Sequence, residues 1–201
     1  STFAAAVATI GATPATLVVP SNASATISAD LTTPVTLSIT IPQGGMITIA
    51  AGKTLTINGP FEAGNYKVFT DNSANILKGV RFGYQASVKE VNVKWWGATG
   101  DGLTDDTTAI NQAIKAFNFV YFPWGNYMTT SATTGAWDFT HIPNFNKTTN
   151  KDLPRQIVLR GQPTTGRDMQ YTRIYCNGVN GYVIDGSLME KVAVGSALAG
   201  N

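Results

Sequence analysis

The sequence predicts an all-β fold of stacked strand-and-turn units, a β-solenoid, carrying a single α-helix. Three observations lead there. Short runs in the first 88 residues alternate apolar and polar side chains. These runs recur roughly every 8–11 residues between turn signals. Only one stretch, in the middle of the chain, shows a helical period. Composition agrees: 43% of the 201 residues are hydrophobic and 13% charged, against about 25% charged in a typical soluble domain. Thr, Ser, Asn and Gly fill the difference. That is the profile of a β-rich extracellular or virion protein, and it excludes a disordered chain.

The start, "STFAAAVATIG", lacks a basic region and an initiator Met, and reads as a processed or truncated end rather than a signal peptide. "TPVTLSITIP" then places Val35, Leu37, Ile39 and Ile41 on one face. "GMITIA" repeats the pattern with Ile47 and Ile49, and "GKTLTING" with Leu55 and Ile57. Pro42, Gly44, Gly45, Gly52, Gly59 and Pro60 punctuate these runs as turns. The spacing also suits a small sandwich. A solenoid is preferred because consecutive units repeat one Thr/Ile pattern, so that each can stack on the last. "YKVFT" and "KGVRFG" continue the strands to Gly83.

The helix is expected at 104–117, within "KWWGATGDGLTDDTTAINQAIKAF". Ile110, Ala113, Ile114 and Phe117 form one apolar stripe. Thr104 or Asp105 is placed as the N-cap. Asp105 and Asp106 are expected in the first turn, where the helix dipole favours carboxylates by about 0.3–1 kcal/mol each. Gly100 and Gly102 flank Asp101 in a tight turn. The crowding of Asp101, Asp105 and Asp106 has two readings, a catalytic or metal-binding cluster and a capped helix start. The second accounts for it without chemistry.

After the helix, "FVYFPWGNYMTT" reads as strand, turn and strand. "RQIVLRG", "TRIYCNG" and "GYVIDGS" are further short strands. Strands at 120–122, 157–159 and 173–175 are expected to stack as parallel ladders in successive coils. Residues 132–153 form a polar, aromatic insert that leaves the coil. The last segment, "SLMEKVAVGSALAGN", stops without a cap, which points to the N-terminal piece of a longer protein.

Several functions are disfavoured. The net charge is +2 and no basic run marks a nucleic-acid footprint. No apolar run reaches about 18 residues, so no transmembrane helix is expected. Cys176 is the sole cysteine and His141 the sole histidine. Neither a zinc site nor a Cys–His nucleophile pair is expected, and no metal or cofactor is assigned. "GATGDG" lacks the glycine spacing of a dinucleotide fingerprint.

Glycoside hydrolysis needs two carboxylates about 5–5.5 Å or about 6.5–9.5 Å apart, within reach of strands stacked about 4.8 Å apart. Asp168, Asp185 and Glu190 are the acids available on the expected coils. No repeat aligns them, each reads as a turn residue, and the catalytic residues stay unknown. The best carbohydrate-binding candidates are aromatic: Trp124 in a turn, and Trp137, Phe139 and Phe145 in the insert. Exposed flat rings can stack on sugars. Otherwise they pack the insert onto the coil or onto a neighbouring subunit.

Three segments, "WWGATGDGLTDDTTAINQAI", "VYFPWGNY" and "IVLRGQPTTGRDMQYTRIY", resemble the pectate-lyase-like, right-handed parallel β-helix proteins, which include phage tailspikes and bacterial polysaccharide-active proteins. "TIPQGGMITIAAGKTLTINGPFEAG" is similar to the lead-in strands of that group. The matches cover most of 35–185. The resemblance implies that 89–201 begin a right-handed parallel β-helix whose N-terminal end is capped by helix 104–117. Asp101, Asp105, Asp106, Ile110, Ile114 and Phe117 would build that cap. Residues 1–88 would be a small β-rich N-terminal domain on the head or anchor side. It further implies a homotrimer, a bacterial surface polysaccharide as ligand, a virion tail or baseplate protein as partner, and a virion or extracellular location. No nucleic acid or membrane is implied. Full-length relatives are glycoside hydrolases or polysaccharide lyases, yet no catalytic motif carries over. The expected function is the N-terminal part of a tailspike-like protein that recognises, and in full length degrades, such a polysaccharide. The alternatives are a purely structural trimeric fibre module without catalysis, or a secreted bacterial pectate-lyase-like protein.

Overall fold

The computed structural model describes residues 2–73, 78–83, 86–130, 158–161 and 173–176. Within them the chain is mostly β, every strand pairing is parallel, and no sheet closes into a barrel.

The first nine strands are β1 (Ala15–Val18), β2 (Ser24–Ile27), β3 (Leu31–Thr32), β4 (Leu37–Ile41), β5 (Met46–Ile49), β6 (Thr54–Ile57), β7 (Phe61–Ala63), β8 (Phe69–Asp71) and β9 (Gly79–Phe82). Each strand lies on the strand three places earlier, which gives sheets β1-β4-β7, β2-β5-β8 and β3-β6-β9. In the first two sheets Ala15 sits beside Leu37, Ile39 beside Phe61, Ser24 beside Met46 and Ile47 beside Phe69, an offset of 22 residues each time. The fixed offset turns sequence alternation into continuous rows. Ile39 and Phe61, then Ile47 and Phe69, stack inward, while Thr26, Thr48 and Thr70 align on the other face. Leu37, Ile39, Ile41, Ile47, Ile49, Leu55 and Ile57 are fully buried, each contributing roughly 1.5–3 kcal/mol of transfer free energy. β-branched Thr suits the outer face of such a ladder, which explains the low charge. Val35 departs from the expectation. It is 47% exposed, because it sits in the turn after Pro34, ahead of β4.

The turns are tight. A Cβ at Gly59 would lie 2.0 Å from the Leu37 carbonyl oxygen on the preceding turn, so only glycine lets the two backbones approach.

A helix not expected from the sequence, α1 (Phe3–Ile10), precedes β1. The Thr2 hydroxyl accepts the Ala5 N–H at 3.2 Å, an ordinary N-cap. Phe3 and Val7 are buried, and the helix packs beside β2. The signal was present: Phe3, Val7 and Ile10 share a face, but alanines between them dilute the pattern.

β10 (Val91–Asn92) leads into a 3₁₀ turn at Val93–Trp96, then β11 (Asp101–Asp105), α2 (Thr107–Ala116), β12 (Phe119–Phe122) and β13 (Asn126–Thr129). β14 (Val158–Gly161) and β15 (Arg173–Cys176) complete sheets β10-β12-β14 and β11-β13-β15. The ladder expected between 120–122 and 157–159 forms, with Val120 beside Leu159. Residues 173–175 do not join it. Arg173 lies beside Asn126, in the other sheet. The corner at Pro123-Trp124-Gly125 turns the chain between β12 and β13, so successive strands alternate between sheets.

Helix 104–117 is likewise corrected to Thr107–Ala116, because Asp101–Asp105 is a strand paired with β13. Ile110 and Ala113 are fully buried and Ile114 nearly so, against β9, β10, β12 and the 3₁₀ turn. No described helix is long and apolar enough to cross a membrane.

One core cluster runs from Phe3 to Tyr127. Its centre joins residues on both sides of position 88. Trp95 meets Phe61 at 4.9 Å and Phe82 at 6.0 Å between ring centroids, and Trp96 meets Phe69 at 5.2 Å. The Val68 N–H donates to the Trp95 carbonyl at 2.9 Å.

Candidate functional site

The acidic turn is a set of three separate hydrogen-bond systems. Asp101 accepts the N–H groups of Leu103 (2.8 Å) and Thr104 (2.7 Å) and the Thr104 hydroxyl (2.7 Å). Asp105 accepts the Thr107 N–H (3.0 Å), the Thr107 hydroxyl and the Thr130 hydroxyl (2.8 Å). Asp106 is buried and turned back on the preceding loop, where it accepts the Thr99 N–H (2.7 Å), the Thr99 hydroxyl (3.1 Å) and the Gly100 N–H (3.1 Å).

The expected cap is corrected accordingly. The N-cap residue is Asp106, with no side-chain cap bond, and no acid lies in the first turn of α2. The Asp106 carboxylate is committed to the loop at 99–100, so Asp105 serves the first helical N–H instead. Among the described residues no group of three or more His, Cys, Asp or Glu is placed to hold a metal ion. The carboxylates shape a turn and a helix start.

This geometry gives a pH test. Its hydrogen bonds, led by those of Thr104 and Leu103, lower the Asp101 pKa to about 2. A depressed acid stabilises the fold above its unfolded value, near 3.8, and loses that contribution as pH falls through about 2. A carboxyl-carbon NMR titration should find Asp101 still ionised at pH about 3, where an unperturbed aspartate is mostly protonated. In Asp101→Asn the acid-side fall in stability should shrink. An Asp101 midpoint near 3.8 would contradict the turn geometry.

Behind the acids lies Tyr127, fully buried, with its hydroxyl donating to the Pro123 carbonyl at 2.8 Å. Burial, then the Asp106 charge, pushes its pKa up. The Pro123–Gly125 corner is therefore anchored from inside while Trp124, at its tip, is 54% exposed. Of the four expected sugar-binding aromatics, Trp124 alone falls within the described residues. Trp137, Phe139 and Phe145 lie outside them, as do His141, Asp168, Asp185 and Glu190.

Two polar clusters escaped sequence reasoning. The first is buried. The Lys115 ammonium lies 3.6 Å from the Asp71 carboxylate, and Arg81 donates to the Lys115 carbonyl. Burial lowers the pKa of Lys115 and of Arg81, against the pull of Asp71. The second is on the surface. Arg160 makes a two-pronged contact with Glu90, 70 residues away, with Nε at 2.7 Å. Its guanidinium lies 4.6 Å from the centre of the Tyr121 ring. Neither pairing has a local signal, because both depend on the stacking register.

A family model for rhamnogalacturonase A/epimerase, pectate lyase-like proteins matches residues 90–198, more than half of the chain. The chain belongs to this pectate lyase-like family. Comparison with curated proteins and with solved structures returned no match. The matched residues open at Glu90, one residue ahead of β10, and take in the acidic turn, α2, the Trp124 corner and the Glu90–Arg160–Tyr121 cluster.

Proposed function

We propose that the chain is part of a tailspike-like protein that recognises a bacterial surface polysaccharide, and that its stacked strands form a right-handed parallel β-helix. Membership of a pectate lyase-like family over 90–198 carries the reading, since the family is described by its action on polysaccharides. The regular offset between parallel strands supports the helical stack. The exposed Trp124, on a corner whose backbone is anchored by Tyr127, supports sugar contact, because a corner already held in place leaves less backbone to order on binding. Asp101, Asp105 and Asp106 are taken up by their own turns, and Asp71 and Glu90 by Lys115 and Arg160, so we assign this region to binding and assembly rather than to bond cleavage. Homotrimers, attachment to a virion tail or baseplate, and a virion or extracellular location complete the proposal. A trimer would place solenoid flanks against one another and shield exposed edges.

The test is retardation of the purified chain in gels carrying bacterial capsular polysaccharides, O-antigens or rhamnogalacturonan, with product analysis and light scattering in parallel. Retention without chain shortening, at a trimer mass, is expected. Depolymerisation would overturn the binding-only assignment. Absence of retention by every polysaccharide would overturn the recognition reading, and a monomer mass would overturn the trimer for this chain.

A further inference from the structure

We infer that the outer face of β12 and β14, formed by Phe119, Tyr121, Arg160 and Glu90, is a binding site for neutral sugar residues. The inference rests on the polysaccharide reading above and names a site and a ligand class within it. It starts from the strand "FVYF". Val120 and Phe122 point into the core, so Phe119 and Tyr121 project from the opposite face. Phe119 is 43% exposed and backed by Phe117 at 5.9 Å between ring centroids. On the neighbouring strand Arg160 pairs in register with Tyr121 and lies over its ring. Glu90 grips the guanidinium through Nε and one terminal nitrogen. The result is an exposed ring beside a pre-oriented fork of donors and a carboxylate. A pyranose offers the complement, an apolar C–H face for the ring and vicinal hydroxyls for the polar edge.

Two physical points select the ligand. Arg160 and Glu90 remain partly exposed, at 48% and 27%. An apolar partner laid across them would strip their water without replacing its hydrogen bonds, which is costly, whereas sugar hydroxyls can replace them. The charges also cancel. Arg160 is engaged by Glu90, leaving no unmatched cation in the cluster to favour a uronate. The site therefore selects neutral residues over acidic ones.

The experiment is affinity electrophoresis of the full chain, at low and high salt. The gels carry dextran, galactomannan, polygalacturonate, or the bacterial capsular and O-antigen polysaccharides used above. Phe119→Ala should weaken retention by a neutral polysaccharide about tenfold or more, the loss expected for a central aromatic contact. Phe119→Trp should keep it, Glu90→Gln should weaken it, and Leu103→Ser, at an exposed site on another sheet, should leave it unchanged. Neutral-sugar retention should be insensitive to salt. Thermal melting of each variant separates lost binding from lost folding. Retention by polygalacturonate alone, or neutral retention untouched by Phe119→Ala in a folded variant, overturns this site while leaving the polysaccharide reading intact. No retention of the unmodified chain overturns both. A chain whose self-association disappears in Phe119→Ala without any change in sugar retention makes the face a contact between copies, and overturns the inference.

Discussion

Asp71→Ala should destabilise the protein by about 3–5 kcal/mol, the cost of leaving a buried charge without its partner. The Asp71 side chain is 1% exposed and that of Lys115 is 8% exposed. The carboxylate also accepts the N–H groups of Ser73 at 2.9 Å and Val80 at 3.2 Å. Its removal strands two backbone donors and withdraws the negative charge facing Lys115 and Arg81. Urea denaturation at neutral pH is the measurement. The sign of the pH dependence follows from Lys115. Burial holds its folded pKa below 10.5, so the folded state sheds a proton before the unfolded state does, and stability rises with pH through that window. In Asp71→Ala the rise should be steeper, because the opposing charge is gone. Asp71→Leu combined with Lys115→Met should recover part of the loss, since replacing both charges by apolar groups is often close to neutral. A single variant within about 1 kcal/mol of wild type, the scale of an ordinary substitution, would show that the pair is not closed in solution.

Trp95→Ala should cost about 3–5 kcal/mol, the range for a buried aromatic truncated to alanine. Trp95 is 6% exposed and packs against Phe61, Phe82 and Trp96. Its indole N–H donates to the Gly64 carbonyl at 3.0 Å. Truncation would open a cavity between the strands before residue 88 and those after it. At roughly 2–4 °C per kcal/mol for a chain of this size, the midpoint of thermal unfolding should fall by about 10 °C. Trp95→Phe keeps a ring in the cluster and should lose markedly less. If the alanine variant melts within about 2 °C of wild type, the shift expected for 1 kcal/mol or less, the aromatic cluster does not join the two stacks energetically.

The strands with apolar-polar alternation were legible because each carries its own evidence. Leu37, Ile39 and Ile41 alternate with Ser38 and Thr40, and that period can bury only one face. The stripe of α2 was legible for the same reason. Its start was not. Thr104 and Asp105 were the cap candidates in the sequence, whereas the N-cap residue is Asp106, whose carboxylate is drawn away from the helix by the N–H groups of Thr99 and Gly100. Trp124 could be placed in a turn from Pro123 and Gly125. Its anchoring by Tyr127 could not, because the hydroxyl bonds the Pro123 carbonyl only when the corner has closed.

By itself the sequence determined the β-rich class, the repeating strand-and-turn units, the amphipathic stripe of α2 and the family. All of these are set by local period and by short contiguous motifs. Only the tertiary structure decided which strand lies on which. With an offset of 22 residues, Ile27, Ile49 and Asp71 fall in one inward row, so an apolar row ends in a carboxylate that needs Lys115 from α2. Glu90 and Arg160 meet over Tyr121 by the same logic, 70 residues apart. The physical reason is that side-chain partnership in a stacked parallel sheet depends on loop lengths summed around each turn. Those lengths are known only when the backbone hydrogen bonds have fixed the register.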